Sequence, residues 1–139
     1  MTTSSTGKKP SRSVEPASEE QTHRAALQVF FGITADWKLS SDAQRVLLGS
    51  IPESTFFKWK KELKGRLSVD TLDRVSYVMG IHKALRILLG DVSAVRRWIH
   101  APNSAPLFGG LSAIERMTTT GQMEDLAAIR RYLDAERGW

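Results

Sequence analysis

The sequence predicts an all-α fold made of two small helical modules. Apolar residues recur at helical spacing along most of the chain, and capping residues and glycines separate these stretches. No segment alternates apolar and polar residues as a half-buried strand would. A length of 139 residues, 41% of them hydrophobic, is enough for one domain or for two modules that share a core.

The composition excludes several kinds of chemistry. The chain has no cysteine, so disulfides, thiolate metal sites and a cysteine nucleophile are excluded. Its longest apolar runs, near 29–31 and 87–89, are far shorter than the roughly 20 residues that a membrane span needs. The N-terminal residues lack the apolar region of a secretory signal. We therefore expect a cytoplasmic protein with no membrane partner.

The first helix is expected to follow an N-terminal arm. Residues 1–17 are rich in Ser, Thr, Pro and Lys, which predicts a disordered segment. Ser18 and Gln21 have the spacing of a capping box, so a helix should begin there. Gly32 is expected to end it. The apolar stripe of this helix consists of Ala26, Leu27, Phe30 and Phe31.

Two short helices joined by a tight turn are expected next. Ser41 and Gln44 repeat the capping-box spacing, and Gly49 stands where a helix commonly ends in a left-handed conformation. Ser50 and Glu53 predict the cap of the following helix. A pair of short helices with a glycine in the turn is typical of a helix-turn-helix.

The second helix of this pair, over residues 52–64, is amphipathic and basic. The chain carries a net charge of +5, and residues 58–66 alone contain five basic side chains against Glu62. Such a cluster favours an anionic partner, so we expect this helix to lie in the DNA major groove. The alternative is a solvated face on a corner that only packs. The predicted DNA-binding residues are Ser54, Thr55 and Lys58 near base edges, and Lys60, Lys61, Lys64 and Arg66 on phosphates.

Helices also account for the second module. Ser68 is expected to cap a helix that Gly80 breaks and that continues to Gly90. Ser112 should cap a later helix, and Gly121 should separate it from the last one. The residues expected to face the core are Met79, Leu85, Leu88, Leu89, Trp98, Met117, Ile129 and Leu133. The predicted domains are therefore the arm, a helix-turn-helix domain over 18–66 and a second helical domain over 67–139.

The sequence shows no catalytic or metal-binding constellation. His23, His82 and His100 share no ligand spacing with one another or with carboxylates, and no nucleophile-elbow, dinucleotide or P-loop motif occurs. We therefore expect neither an enzyme nor a bound metal or cofactor.

The second module resembles a known family in the order and spacing of four segments. They are LSVDTLDRVSYVMGIHKALRILLGD from Leu67, the RRWIHAPN that contains Trp98, PLFGGLSAIERM from Pro106, and DLAAIRRYLDAERGW from Asp125. This half is similar to the C-terminal toxin-binding domain of Xre/MbcA/ParS-type antitoxins, and to the ParS branch in particular. The preceding helices resemble the Xre-like helix-turn-helix domain of the same family.

This resemblance implies a function. The family's partners are toxins of the RES-domain class, which degrade NAD or transfer ADP-ribose from it to a protein. The antitoxin binds the toxin and occludes its active site. Many members also dimerise through the N-terminal domain and repress their own operon, so a homodimer and operator DNA are expected here. The alternative is a stand-alone helix-turn-helix regulator whose second domain serves only dimerisation.

Two segments are the expected toxin contacts. Arg137, Gly138 and Trp139 are expected to enter the NAD pocket, because an indole ring beside a free carboxylate resembles the flat rings and phosphates of NAD. The alternative is that Trp139 folds back on the last helix. The other segment is the loop over 102–111, in which Leu107 and Phe108 should be exposed, unless Phe108 closes the core. The remaining predicted toxin-binding residues are Gly109, Gly110 and Tyr132.

Aromatic residues crowd the predicted recognition helix. Only two of Phe56, Phe57 and Trp59 fit comfortably against one core. Phe57 is therefore expected at a dimer interface or a toxin contact, which argues against sequence-specific reading of DNA.

Overall fold

The computed structural model describes residues 18–138 and confirms the all-α prediction: this part of the chain contains no β-strand. The predicted arm and Trp139 lie outside the described residues. None of the helices described is both long and apolar enough to cross a bilayer. The helices are α1 (Glu19–Asp36), α2 (Ser41–Leu47), α3 (Glu53–Glu62), α4 (Val69–Leu89), α5 (Val92–His100), α6 (Ala113–Thr118) and α7 (Met123–Glu136).

Helix α4 is the central element and packs against α1, α5 and α7. Its 21 residues run through Gly80 without interruption, so the predicted break there is wrong. A glycine inside a helix costs only about 1 kcal/mol, and burial of Val78 and Ile81 on either side offsets this cost. Gly80 also lies against α7, because a Cβ atom there would lie 1.7 Å from Nη1 at the end of the Arg130 side chain.

Helix α1 begins at the predicted capping box but ends later than predicted. The Oγ of Ser18 accepts from the backbone N–H of Gln21 at 3.1 Å, and the Gln21 side chain accepts from the Ser18 N–H at 3.0 Å. The helix continues past Gly32 to Asp36. Burial of Ile33 and Trp37 on the core side explains the continuation, since packing outweighs the weak helix propensity of glycine.

The cap of α2 lies one residue before the predicted one. The Oγ of Ser40 accepts from the N–H of Ala43 at 3.1 Å. Gln44 takes no part in a capping box with Ser41, because its side chain is buried. Its Oε1 accepts from the Thr34 hydroxyl at 3.2 Å and so ties α2 to α1.

The predicted Ser50–Glu53 capping box of α3 is also wrong. Pro52 occupies the N-cap position, and no side chain caps the helix. Ser50 has a positive φ of 60° and belongs to the turn, together with Gly49. The Arg45 guanidinium holds this turn by donating to the carbonyl oxygen of Ile51 at 3.0 Å.

Apart from the break at Gly80, the predicted helix boundaries of the second half are confirmed. Ser68 caps α4, Gly90 follows its last residue, and Ser112 forms a capping box with Glu115 at the start of α6. Gly121, with a φ of 70°, lies in the turn between α6 and α7.

Three of the predicted core positions are wrong. Leu85, Met117, Ile129 and Leu133 are buried and Trp98 packs against them half-buried, whereas Met79, Leu88 and Leu89 are exposed. The reason is geometric: an uninterrupted α4 cannot turn all of its apolar residues toward one core.

Gly65, in the connector from α3 to α4, provides a test of the packing around Trp59. A Cβ atom there would lie 2.2 Å from Nε1 and 2.5 Å from Cδ1 of Trp59, whose ring is buried. Because that ring cannot move aside freely, Gly65→Ala should lower the free energy of unfolding by about 1–3 kcal/mol, measured by urea denaturation.

Gly32→Ala is the matched control. Gly32 is exposed inside α1, and a Cβ atom there would meet nothing within 4 Å. This substitution should raise the free energy of unfolding by about 0.5–1 kcal/mol. Equal effects of the two substitutions would contradict the packing described for Trp59.

His82 makes the stability depend on pH. Burial lowers the pKa of His82 below its ordinary value of 6.5, and Arg86 adds to this decrease while Asp36 opposes it. Its Nδ1 accepts from the Trp37 indole N–H at 3.0 Å, which requires the neutral ring. The folded state therefore disfavours protonation, and the stabilising contribution is lost as the pH falls below about 6.5.

We expect the free energy of unfolding to decrease between about pH 7 and pH 5, and to decrease less in His82→Asn. The Oδ1 of an asparagine can accept the Trp37 hydrogen bond without titrating. Urea denaturation at both pH values measures the difference. The same decrease in both proteins would exclude His82 as its source.

Candidate functional site

The outward face of α3 carries one continuous ridge. At 100° per residue, Ser54, Phe57, Lys58 and Lys61 lie opposite the buried side of the helix, and all four are exposed. We call these four residues the outer ridge. Thr55, predicted near base edges, is half-buried at the side of the helix and does not belong to it.

The lysines of α3 are available to an anionic partner. Lys58, Lys60 and Lys61 are exposed, and within residues 18–138 none of them forms an ion pair. Lys60 lies at the flank, with its Nζ 5.9 Å from the centre of the Phe56 ring. These positive charges therefore face solvent, two of them on the outer ridge and Lys60 beside it.

The two other predicted phosphate contacts lie in the connector after α3. Leu63 ends the helix in a left-handed conformation, so Lys64 and Arg66 follow it outside the helix. Arg66 pairs with Glu19 at 3.0 Å, and both side chains are mostly exposed. An exposed pair of this kind contributes little stability, so it does not prevent Arg66 from binding a phosphate.

Helix α4 positions the turn that precedes α3. The hydroxyl of Thr71 donates to the carbonyl oxygen of Leu48 at 2.9 Å. A Cβ atom at Gly49 would lie 3.2 Å from the Asp70 carboxylate, so the turn lies directly on α4. The start of α4 therefore fixes the helix-turn-helix.

A second exposed feature is an apolar groove of about 190 Å³ where α4, α5 and α7 meet. Leu88 and Leu89 at its edge are 38% and 39% exposed, although both are large apolar side chains. We call this feature the C-terminal groove. Its lining residues are Leu85, Leu88, Leu89, Trp98, Tyr132, Leu133 and Glu136.

The loop over 102–111 supports this groove from beneath. Phe108 is only 2% exposed, so the expectation that it is exposed is wrong, and the alternative that it closes the core is confirmed. Its ring makes edge-to-face contacts with Trp98 at 5.7 Å and with Tyr132 at 5.3 Å. Leu107 is half-buried, whereas Gly109 and Gly110 are exposed. Phe108 thus orients two rings of the groove.

Arg116 on α6 holds this loop. Its Nε donates to the carbonyl oxygen of Leu107 at 3.0 Å, and its Nη1 donates to Asp125 at 2.6 Å. Burial raises the pKa of Asp125, but hydrogen bonds from Arg116, Thr120 and the Gln122 backbone outweigh it, so the pKa is lowered overall. The carboxylate therefore stays ionised and keeps the loop in place.

The residues after α7 begin beside the groove. Arg130 covers Gly80, whereas Leu133 and Glu136 face the end of α4, so α7 runs parallel to the second half of α4. The Arg137 side chain is 9% exposed, with its Nη1 3.7 Å from Asp134, and Gly138 has a φ of 86°. Of the two predicted tail contacts that the structure describes, Arg137 lies against the domain and Gly138 is exposed.

Sequence reasoning missed the C-terminal groove because it placed Leu88 and Leu89 in the core. One signal was available: 87–89 is a run of three large apolar residues just before Gly90, and three consecutive helical residues cannot all face one core.

The histidines make structural contacts. The N–H of Leu67 donates to Nδ1 of His23 at 3.0 Å, and Nε2 of His100 lies 2.7 Å from the carbonyl oxygen of Trp37. Among residues 18–138, no three His, Cys, Asp or Glu side chains are grouped to hold a metal ion.

Comparison with known proteins identifies both halves of the chain. Residues 84–138 match the family described as the antitoxin Xre/MbcA/ParS C-terminal toxin-binding domain. Residues 16–80 match the antitoxin Xre-like helix-turn-helix domain. The chain belongs to the Xre/MbcA/ParS family of antitoxins. The two matches meet within α4 of the antitoxin, whereas the domain division at residue 66 stays a prediction.

One relative of the antitoxin spans nearly its whole length. The uncharacterized protein y4oB of Sinorhizobium fredii is 44% identical to it over 129 residues, which cover 93% of the antitoxin and 97% of the relative. The C-terminal groove thus lies in the toxin-binding domain, and the outer ridge lies in the helix-turn-helix domain.

Proposed function

We propose that the antitoxin inhibits a RES-domain toxin that degrades NAD or transfers ADP-ribose from it, by occluding the toxin's active site. The observation that carries the proposal is the C-terminal groove, an exposed apolar concavity in the toxin-binding domain beside residues 137–138. The antitoxin itself acts as a cytoplasmic binding protein with no catalytic role and no cofactor.

The groove provides the affinity of this interaction. It combines the aliphatic side chains of Leu88 and Leu89 with the rings of Trp98 and Tyr132. Aromatic residues in well-packed pockets are typical hot spots of protein interfaces. Because Phe108 fixes both rings from beneath, they lose little conformational freedom when a toxin side chain fills the groove.

The residues after α7 provide the inhibition. Arg137 anchors the chain to the end of α7 through Asp134, and Gly138 turns it away in a conformation that favours glycine. In this proposal Trp139 then reaches the NAD pocket of the toxin, where its indole ring occupies the place of a flat ring of NAD. Gly109 and Gly110 contribute exposed backbone to the same contact.

The helix-turn-helix domain adds autoregulation to this proposal. In this proposal the antitoxin binds operator DNA as a homodimer. The outer ridge of each copy enters the major groove, with the unpaired lysines of α3 near phosphates. Val29 on α1 and Met79 on α4 are exposed beside each other on one apolar face, which suits an interface with a second copy.

The role of the C-terminal groove is tested by substituting two adjacent exposed apolar residues on α4. Leu88→Ala should weaken the complex with the toxin by about thirtyfold, because it removes a large apolar side chain that lines the groove. Co-purification with the product of the adjacent gene, followed by titration, measures this affinity.

Ile87→Ala is the matched control, since Ile87 is also exposed but does not line the groove. It should leave the affinity unchanged. Equal losses in both variants would place the toxin elsewhere on α4. No complex with either variant or with the original chain would favour a stand-alone regulator.

The tail is tested separately from the groove. Removing residues 137–139 should leave the toxin complex detectable, since the C-terminal groove is intact, but NAD consumption by the bound toxin should resume. The readout is the rate at which the purified complex consumes NAD. Full inhibition by the shortened antitoxin would contradict the role of the tail and leave occlusion to the groove alone.

A further inference from the structure

We infer that Phe57 reads the methyl groups of thymine in the major groove and is the residue through which α3 distinguishes base sequences. This inference rests on the proposed binding of operator DNA. It replaces two expectations from the sequence: that Phe57 is a protein contact, and that α3 does not read the base sequence.

The position of Phe57 on α3 suits a contact with base edges. It is 48% exposed and belongs to the outer ridge, three residues after Ser54 and four before Lys61. These spacings place the three side chains side by side along one face of the helix. Phe57 lies in the first half of α3, and recognition helices contact base edges with their N-terminal residues.

The ring of Phe57 is oriented by the core. It makes an edge-to-face contact with the buried Phe56 at 5.1 Å, and Phe56 in turn contacts Phe31 of α1 at 5.7 Å. The Phe57 ring thus packs on one side against Phe56, and about half of the residue is exposed to solvent. A ring held in this way can bind a small apolar group with little loss of side-chain freedom.

The charges around Phe57 favour DNA over a protein partner. Lys58, Lys60 and Lys61 surround it, and none of the three forms an ion pair in the described part of the chain. Lysine is depleted at protein interfaces. If Phe57 were buried against a protein, these neighbouring ammonium groups would also lose their contact with water. In the major groove the same groups would lie near phosphates.

The chemistry of the ring identifies the group that it reads. A phenyl ring has neither a hydrogen-bond donor nor an acceptor. The apolar group on a base-pair edge of the major groove is the C5-methyl of thymine. The hydroxyl of Ser54 can bind donors or acceptors on base edges, and the ammonium of Lys58 suits the acceptors of guanine, so Phe57 supplies the discrimination for thymine.

The experiment compares two forms of one DNA. The segment upstream of the antitoxin's own coding sequence is amplified either with thymidine triphosphate or with deoxyuridine triphosphate, which lacks only the methyl group. The original chain should bind the thymine form more tightly, by about fourfold for each methyl group that it contacts. Phe57→Ala should bind both forms equally, at or below the affinity of the original chain for the uracil form.

Lys61→Ala is the matched control on the same ridge. It should weaken binding to both forms by the same factor and reduce the salt slope by about one, while the preference for thymine remains. Because Phe57 and Lys61 are both exposed, neither substitution should unfold the protein, which circular dichroism and thermal denaturation check.

Each other result overturns the inference in an identifiable way. Equal binding of both forms by the original chain, or an unchanged thymine preference in Phe57→Ala, would reject it and leave operator binding intact. Loss of the toxin complex in Phe57→Ala, with DNA binding unchanged, would assign Phe57 to a protein interface. No preference of the original chain for the upstream DNA over unrelated DNA would reject operator binding itself.

Discussion

The fold depends on the packing of one continuous helix against both halves of the chain. Helix α4 packs against α1 of the helix-turn-helix domain and against α7 of the toxin-binding domain. Gly80, near its middle, has no side chain, and this absence lets Arg130 of α7 lie directly on the helix. The matches to the two antitoxin domains meet at this point, between residues 80 and 84. A helix cannot bend freely at such a junction, so the two domains share one rigid element.

This constraint sets the distance between the two candidate sites. The start of α4 holds the turn before α3 through Thr71, and its end lines the C-terminal groove through Leu88 and Leu89. A helix of 21 residues is about 30 Å long. The turn before α3 and the C-terminal groove therefore lie at opposite ends of α4, and in the proposed function one molecule can bind DNA and toxin together.

Local signals in the sequence account for the predictions that succeeded. Ser18, Ser68 and Ser112 cap helices as predicted, because a capping hydrogen bond involves residues only three positions apart. The predictions at Gly32 and Gly80 failed for the opposite reason. Glycine weakens a helix by a small local amount, and contacts with distant parts of the chain outweighed it at both positions.

The sequence by itself determined the helical class, the basic character of α3 and the membership of the antitoxin family, since each follows from residue types and their spacing. Only the tertiary structure decided which apolar residues remain exposed. Phe108 became the support of the groove, and Leu88 and Leu89 became its rim. The physical reason is that periodicity identifies an apolar stripe, whereas exposure depends on which other helices cover that stripe, and those helices lie far away in the sequence.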